Sequence, residues 1–152
     1  MSLREQFAEQ LKTSMKAGDA PRTSTLRMIL ARLKDIDIAA RPKGVDRVPD
    51  EEIVGALRNM VKSRRESVDL YRQGNRTDLV AKEEAEIAVI EGFLPQQMDA
   101  AATARAVAEA IAETGAAGIK DMGKVMAALR ARHAATLDMA KAGQLVKTRL
   151  AV

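Results

Sequence analysis

Apolar residues recur at intervals of three and four through most of the chain, which is the pattern of amphipathic α-helices. The first apolar face runs from Leu3 to Met15 in steps of four, and Gly18 follows it. Ser2 and Glu5 have the spacing of a capping box, in which each side chain bonds the backbone amide of the other residue. No segment alternates apolar and polar residues with β-branched side chains, so the pattern predicts no sheet.

Six further segments repeat this helical period, and Leu94-Pro95 separates the first three of them from the last three. A residue before proline avoids helical geometry, which makes this dipeptide the best candidate for a domain boundary. We therefore predict an all-α protein, with a helical domain of four helices at 1–95 and a small helical domain of three helices at 96–152. The start signals for the six segments are Asp19 with Pro21, Pro49, Thr77, Asp99, Asp121 and Asp138.

Two charged residues interrupt the apolar faces of the third and fourth predicted helices. Arg64 lies in the middle of one face and Glu83 in the middle of the next, and both are about equally far from Gly74 between the helices. A buried charge without a partner costs several kcal/mol, so we predict a structural ion pair between Arg64 and Glu83. Asp37 is an alternative acidic partner. A ligand or acid–base pocket, and an edge position where Arg64 reaches solvent, are the other interpretations.

The amino-acid composition excludes several kinds of functional site. The chain has no cysteine, which excludes disulfides, thiolate nucleophiles and zinc–thiolate sites. It has no Trp, one Tyr and two Phe, which argues against reading single-stranded RNA by base stacking. Residues 1–10 are charged and contain no apolar run, which is unlike a secretory signal. We therefore predict a cytoplasmic protein without a membrane partner.

Motifs for catalysis are incomplete. His133 is the only histidine, and no serine elbow or cysteine accompanies it. Gly118 and Gly123-Lys124 approach the spacing of a P-loop, but Val125 stands where that motif needs a hydroxyl to hold magnesium. The acidic run at 83–86 has no histidine that would complete a metal site. We predict no catalytic residue, no metal and no cofactor within this chain.

Positive charge is concentrated in the last third of the chain. Residues 96–152 carry 8 basic and 5 acidic residues, whereas residues 1–95 carry 17 and 16. Surplus positive charge is compatible with phosphate binding as well as with ordinary solubility. The predicted contacts to RNA phosphates are Lys120, Lys124, Arg130, Arg132, Lys141 and Lys147. A second stripe on the third helix has interspersed acids and is interpreted as a solvated face: Arg58, Lys62, Arg65 and Arg72.

Five segments, in order along nearly the whole chain, together resemble one known family. They are Ser63–Ser67, Tyr71–Leu79, Lys82–Glu86, Phe93–Gln97 and Lys120–Leu129. Each segment alone is unspecific, but their succession along one chain resembles the GatB/YqeY-domain family and, within it, the free-standing YqeY-like proteins. The resemblance implies an all-α protein with a helical N-terminal domain and a small helical tail.

The same resemblance implies a role near tRNA. The tail is similar to the C-terminal domain of the B subunit of tRNA-dependent amidotransferase, which uses glutamine to amidate glutamate or aspartate mischarged on tRNA. The chain is too short for that enzyme's kinase domain, so we expect an accessory or tRNA-binding module without its own catalytic centre. The alternatives are a carbon–nitrogen ligase component (glutamine as amido-N-donor) active only with partner subunits, and a scaffold in translation. Expected partners are tRNA and components of the amidotransferase or of an aminoacyl-tRNA synthetase, and the oligomeric state is left open.

Overall fold

A computed structural model describes residues 1–134 and 136–151 of the chain. Those residues form α-helices, two short 3-10 turns (Arg41–Lys43 and Ile119–Asp121) and no strand, which confirms the all-α prediction. No helix among them is long and apolar enough to cross a membrane. The α-helices are α1 (Leu3–Lys16), α2 (Ala20–Ala40), α3 (Asp50–Gln73), α4 (Thr77–Glu91), α5 (Ala100–Thr114), α6 (Met122–His133) and α7 (Met139–Leu150).

Most helix starts follow the sequence signals. The Ser2 hydroxyl accepts from the Glu5 amide and the Glu5 carboxylate accepts from the Ser2 amide, which confirms the capping box. The carboxylates of Asp19, Asp99 and Asp138 each accept from backbone amides in the first turn of the following helix. These bonds satisfy amides that have no partner inside the helix, so short local motifs determine where helices begin.

The chain divides into two compact units, Met1–Leu94 and Pro95–Val152. In the first unit α3 and α4 form a hairpin, and α1 and α2 supply the rest of an aliphatic core. Phe7 packs edge-on against Phe93 with ring centroids 4.9 Å apart. The predicted domains at 1–95 and 96–152 imply that each part folds alone, and that stays a prediction.

The apolar face of α1 ends one turn earlier than its sequence pattern suggests. Met15 is 54% exposed, whereas its neighbour Ser14 is buried and bonds the Thr23 hydroxyl at 2.8 Å. A helix has 3.6 residues per turn, so each step of four rotates a residue about 40° away from the first. Three such steps place Met15 about 120° around α1 from Leu3, outside the core. Ser14 lies on the buried side instead.

In the second unit α5, α6 and α7 surround a small core that includes Val107, Val125, Leu129 and Val146, all almost fully buried. The rest of this core combines alanines, which let the helices approach closely, with leucine, isoleucine and methionine side chains such as Leu137 and Leu150.

Candidate nucleic-acid interface

All six predicted phosphate-binding residues are exposed side chains of the second unit. A helix of twelve residues is about 18 Å long, so these cations are spread over the unit rather than gathered at one point. They are Lys120 in the 3-10 turn before α6, Lys124, Arg130 and Arg132 along α6, and Lys141 and Lys147 on α7.

Three of the lysines lie toward the same end of the α6–α7 pair. A Cβ placed on Gly143 of α7 would lie 3.7 Å from the terminal methyl of Met126 and 3.9 Å from that of Met122. Lys147 lies one turn beyond Gly143, in the direction of the start of α6, where Lys124 and the preceding 3-10 turn are located. Lys141 is six residues before Lys147 and therefore points about 120° away from it.

An acidic side chain lies inside this basic group. The Asp121 carboxylate accepts a hydrogen bond from the Ala117 amide at 3.0 Å. That bond, together with the nearby charges of Lys124 and Lys120, lowers the pKa of Asp121. The carboxylate is thus held ionised between two of the predicted phosphate contacts, and it offsets part of their charge.

The near P-loop does not form a phosphate cradle. It follows helix α5 and a turn, as the sequence pattern predicted, rather than a strand. Its backbone amides are partly occupied, because the Asp121 amide donates to the Gly118 carbonyl at 2.9 Å and the Met122 amide donates to the Ile119 carbonyl. An anion at this position would therefore meet lysine side chains rather than a nest of backbone amides.

Arg132 differs from the other five cations because it already has a partner. Its Nη1 lies 2.5 Å from a carboxylate oxygen of Glu113 on α5. The other five form no salt bridge with any residue in the described ranges. To bind a phosphate, Arg132 would have to break its salt bridge with Glu113 or bind the carboxylate and the phosphate at the same time.

Arg64 is paired in the hairpin of the first unit, but the predicted partner is wrong. Its Nε donates to Glu86 at 3.0 Å, and both side chains are about 15% exposed. Its other nitrogens contact the Met60 carbonyl at 3.3 Å and the Met28 sulfur at 3.7 Å. Glu83 is half-buried and forms no salt bridge in the described part of the chain.

The direction of helical side chains explains why the partner lies one turn farther along α4. Side chains lean toward the N-terminus of their helix, so Arg64 on α3 leans away from the hairpin turn. Acids on α4 lean toward that turn, which brings Glu86 rather than Glu83 opposite Arg64. The same hairpin pairs Arg65 with Glu91 and Arg72 with Glu84, so the stripe predicted as a solvated face has local ion pairs.

Asp37, the alternative partner for Arg64, belongs to a different network that the sequence pattern did not indicate. Arg4 binds it through two nitrogens, at 2.8 and 2.9 Å, and the Val48 amide donates to it at 2.9 Å. These interactions, with the Arg4 hydrogen bond as the largest cause, lower the pKa of Asp37 to about 2. Arg4 and Asp37 are 33 residues apart, and no periodic pattern joins them.

His133 and the acidic run at 83–86 do not come together as a metal site, and Glu84 and Glu86 of the run are instead paired with Arg72 and Arg64. The His133 carbonyl accepts from the Leu137 amide at 2.9 Å, so its backbone closes the turn after α6. Across the described residues, no three His, Asp or Glu side chains are grouped so that they could hold a metal ion.

Comparison with known proteins gives several relatives, and two of the three described here are named as mitochondrial. The protein "Altered inheritance of mitochondria protein 41, mitochondrial" of Eremothecium gossypii is 35% identical over 86 residues, which are 57% of this chain and 45% of that protein. The protein of the same name in Lachancea thermotolerans is 33% identical over 88 residues, 58% of this chain and 46% of its own. A Schizosaccharomyces pombe protein is 26% identical over 95 residues, 62% of this chain and 74% of its own.

The names of these relatives correct one prediction. We predicted a cytoplasmic location, and the similar proteins of Eremothecium gossypii and Lachancea thermotolerans are mitochondrial by name. The prediction of a cytoplasmic location is therefore wrong. This chain spans about half the length of these two relatives, so their remaining residues have no counterpart in the comparison.

A family-wide comparison covers far more of the chain than any of these pairwise matches. The sequence pattern of the family described as "Yqey-like protein" matches residues 4–150, which include all of the seven α-helices except Leu3, the first residue of α1. The resemblance inferred from five short segments therefore extends over the whole fold. The chain belongs to the YqeY-like protein family.

Proposed function

We propose that this chain is an accessory RNA-binding module, related to the glutamine-dependent tRNA amidotransferase, that recognises folded tRNA through the phosphates of its backbone. The observation that carries the proposal is the set of five exposed cations of the second unit that form no salt bridge among the described residues. The link to the amidotransferase comes from the resemblance of the tail to the C-terminal domain of its B subunit. The chain would hold RNA and leave the chemistry to a partner.

Phosphate contacts fit this surface better than contacts to bases. The second unit has no Phe, Tyr or Trp on which a base could stack, and most of its predicted phosphate contacts project from helices. Such a surface can follow the phosphates of a folded RNA while carrying little information about sequence. We therefore expect similar affinities for different tRNAs and weak affinity for unstructured single strands.

Three lysines at one end of the α6–α7 pair mark the centre of the proposed site. Lys120, Lys124 and Lys147 lie toward that end along the helix axes, although Lys124 points to the side of α6 opposite Met122 and Met126, which face α7. Arg132 is neutralised by Glu113. The triple variant Lys120→Gln, Lys124→Gln, Lys147→Gln removes this centre without changing a buried residue. We expect it to lose most of the binding.

The test is a titration of tRNA affinity against salt. The logarithm of the association constant should fall linearly with the logarithm of salt concentration, with a slope of about −0.9 per neutralised phosphate. The triple variant should reduce that slope by about 0.9 for each lost contact. A matched control changes three exposed lysines of the first unit, Lys12→Gln, Lys62→Gln and Lys82→Gln, and should retain the original slope. Affinity no better than millimolar, or equal effects of both triples, would contradict the proposal.

A further inference from the structure

The outer face of α2 carries a regular row of exposed residues in the first unit. They are spaced alternately by four and three, which places them on one side of the helix over about 31 Å. The row, called here the α2 stripe, consists of Ala20, Ser24, Arg27, Ala31, Lys34 and Ile38 of α2 together with Arg41, which begins the following 3-10 turn, and every member is exposed.

The charges of the α2 stripe are all positive. Arg27, Lys34 and Arg41 are seven residues apart, so about 10 Å of helix separates each from the next. None of the three forms a salt bridge within the described part of the chain. Asp35 lies beside Lys34 in sequence but on the adjacent face, and it too has no salt bridge among those residues. The stripe therefore carries uncompensated positive charge.

An open groove of about 580 Å³ borders the first half of the stripe, between α1 and α2. Arg27 is its only charged lining residue. Met15, at the end of α1, contributes an apolar side chain that the core of the unit leaves 54% exposed. Methionine is flexible and polarizable, and it adapts to the shape of an apolar partner. Lining residues include Met15, Ala20, Ser24, Met28 and Ala31.

Buried hydroxyls that line this groove already have partners. Ser14 and Thr23 share a hydrogen bond of 2.8 Å, and the Ser14 hydroxyl also donates to the Leu11 carbonyl at 3.0 Å. A polar ligand would therefore find few unsatisfied groups there. An apolar side chain would instead remove Met15 and its neighbours from water, which is favourable at about 25 cal/mol per Å².

We propose that the α2 stripe and its groove dock an acidic amphipathic helix from a partner protein. An acid every seven residues would meet Arg27, Lys34 and Arg41 in register, because both helices repeat their faces at the same interval. Apolar residues of the partner between these acids would enter the groove beside Met15. This surface lies in the first unit and does not depend on the proposed RNA site in the second.

A nucleic acid fits the same surface less well. A phosphate backbone supplies no apolar side chain for a groove whose lining includes methionine and alanine. The apolar groove beside the cations therefore favours a protein helix.

The test uses a labelled synthetic helix of 21 residues with glutamate every seven positions and leucines between them, titrated with the full chain. We expect saturable binding by fluorescence anisotropy, weakened at least tenfold in the variant Arg27→Glu, Lys34→Glu, Arg41→Glu. The same peptide with lysine in place of glutamate should reverse the preference, binding the variant and not the original chain. Methyl NMR shifts on binding should include Met15 and Met28.

A control variant carries the same change in charge elsewhere on the first unit: Lys12→Glu, Lys62→Glu and Lys82→Glu. It should keep at least half of the peptide affinity, and its unfolding by circular dichroism should match that of the stripe variant. Equal weakening in both variants would show unspecific attraction and overturn the proposal. Two further outcomes would also overturn it: loss of tRNA affinity in the stripe variant with peptide affinity retained, and a dimer of the original chain that only the stripe variant dissociates.

Discussion

Arg4 and Asp37 form the most completely bonded ion pair of the molecule's described residues. Arg4 also donates to the Val48 carbonyl at 2.9 Å, and Asp37 accepts from the Val48 amide. The two side chains thus join the start of α1, the end of α2 and the loop that leads into α3. The loop is held in place both by these charge-assisted backbone bonds and by the Val48 side chain, which is 3% exposed and belongs to the core.

Removing the charge of Asp37 should destabilise the first unit. Asp37→Asn loses the ionic part of the Arg4 interaction, and the side chain is only 14% exposed. We expect a loss of about 1–2 kcal/mol in the free energy of unfolding at pH 7, measured by urea denaturation. The matched variant Asp35→Asn, on the exposed side of the same helix, should change stability by less than about 0.5 kcal/mol.

The pH dependence of this effect has a definite sign. The pKa of Asp37 is about 2 in the folded chain and about 3.9 in an unfolded chain, so folding favours the ionised carboxylate. Its contribution is present above pH 4 and is lost as the pH falls toward 2. The difference between the original chain and Asp37→Asn should therefore shrink over that interval. A constant difference from pH 7 to pH 2 would contradict the assignment.

The identity of the acid that pairs with Arg64 can be tested in the same way. Glu86→Gln leaves a mostly buried guanidinium without its charged partner, and we expect a loss of about 1–2 kcal/mol. Glu83→Gln, three residues earlier on the same helix, should cost less than about 0.5 kcal/mol. A double-mutant cycle with Arg64→Met should find coupling to Glu86 and none to Glu83. Equal costs for the two glutamine variants would argue against the pairing seen here.

At the level of helices, local signals predicted more than periodic patterns did. Capping residues such as Ser2 and Asp99 act within one turn, and their positions confirm the helix starts. The exposure of Met15 and the pairing of Arg64 depend on small rotations that accumulate along a helix. The apolar face of α1 was predicted from steps of four, and the partner of Arg64 from equal distances to Gly74. Both rules ignore those rotations and the direction in which helical side chains lean. Contacts such as Arg4 with Asp37 depend on tertiary structure and have no local signal.

Two glycines in the first unit should respond oppositely to the same substitution. Gly55 lies inside α3 and Gly18 lies between α1 and α2, and an added Cβ meets no atom within 4 Å at either position. Gly55→Ala should stabilise the unit by up to about 1 kcal/mol, because alanine is the better helix former. Gly18 has a φ of +68°, which strains any residue with a Cβ, so Gly18→Ala should destabilise by about 1 kcal/mol. Urea denaturation of both variants measures the two signs, and the same sign for both would contradict the helical geometry.

At the level of the whole molecule, composition predicted where charge is in surplus but not how it is arranged. The six cations of the second unit are exposed, as solvated charges usually are. Their acidic neighbours come from the fold: Glu113 reaches Arg132 from another helix, and Asp121 turns back to the Ala117 amide between two lysines. Whether these cations bind RNA stays a prediction, and the fold adds which of them are partly neutralised.

The position of Asp121 leads to a prediction that increases affinity. Asp121→Asn keeps an oxygen that can accept from the Ala117 amide, so the turn before α6 should be retained. It removes the negative charge beside Lys120 and Lys124. That charge would repel the phosphates of a tRNA bound to these lysines. We therefore expect a gain in tRNA affinity of about threefold to tenfold at low salt, where the repulsion is least screened. The control Glu109→Gln makes the same change in charge on an exposed part of α5 and should alter affinity less than twofold.

The salt titration should also become steeper for Asp121→Asn alone, because a phosphate that replaces the lost carboxylate releases its own counterions. If both variants strengthen binding equally, net charge rather than this basic group attracts the RNA; if Asp121→Asn weakens binding, the lysines at the start of α6 do not form the site.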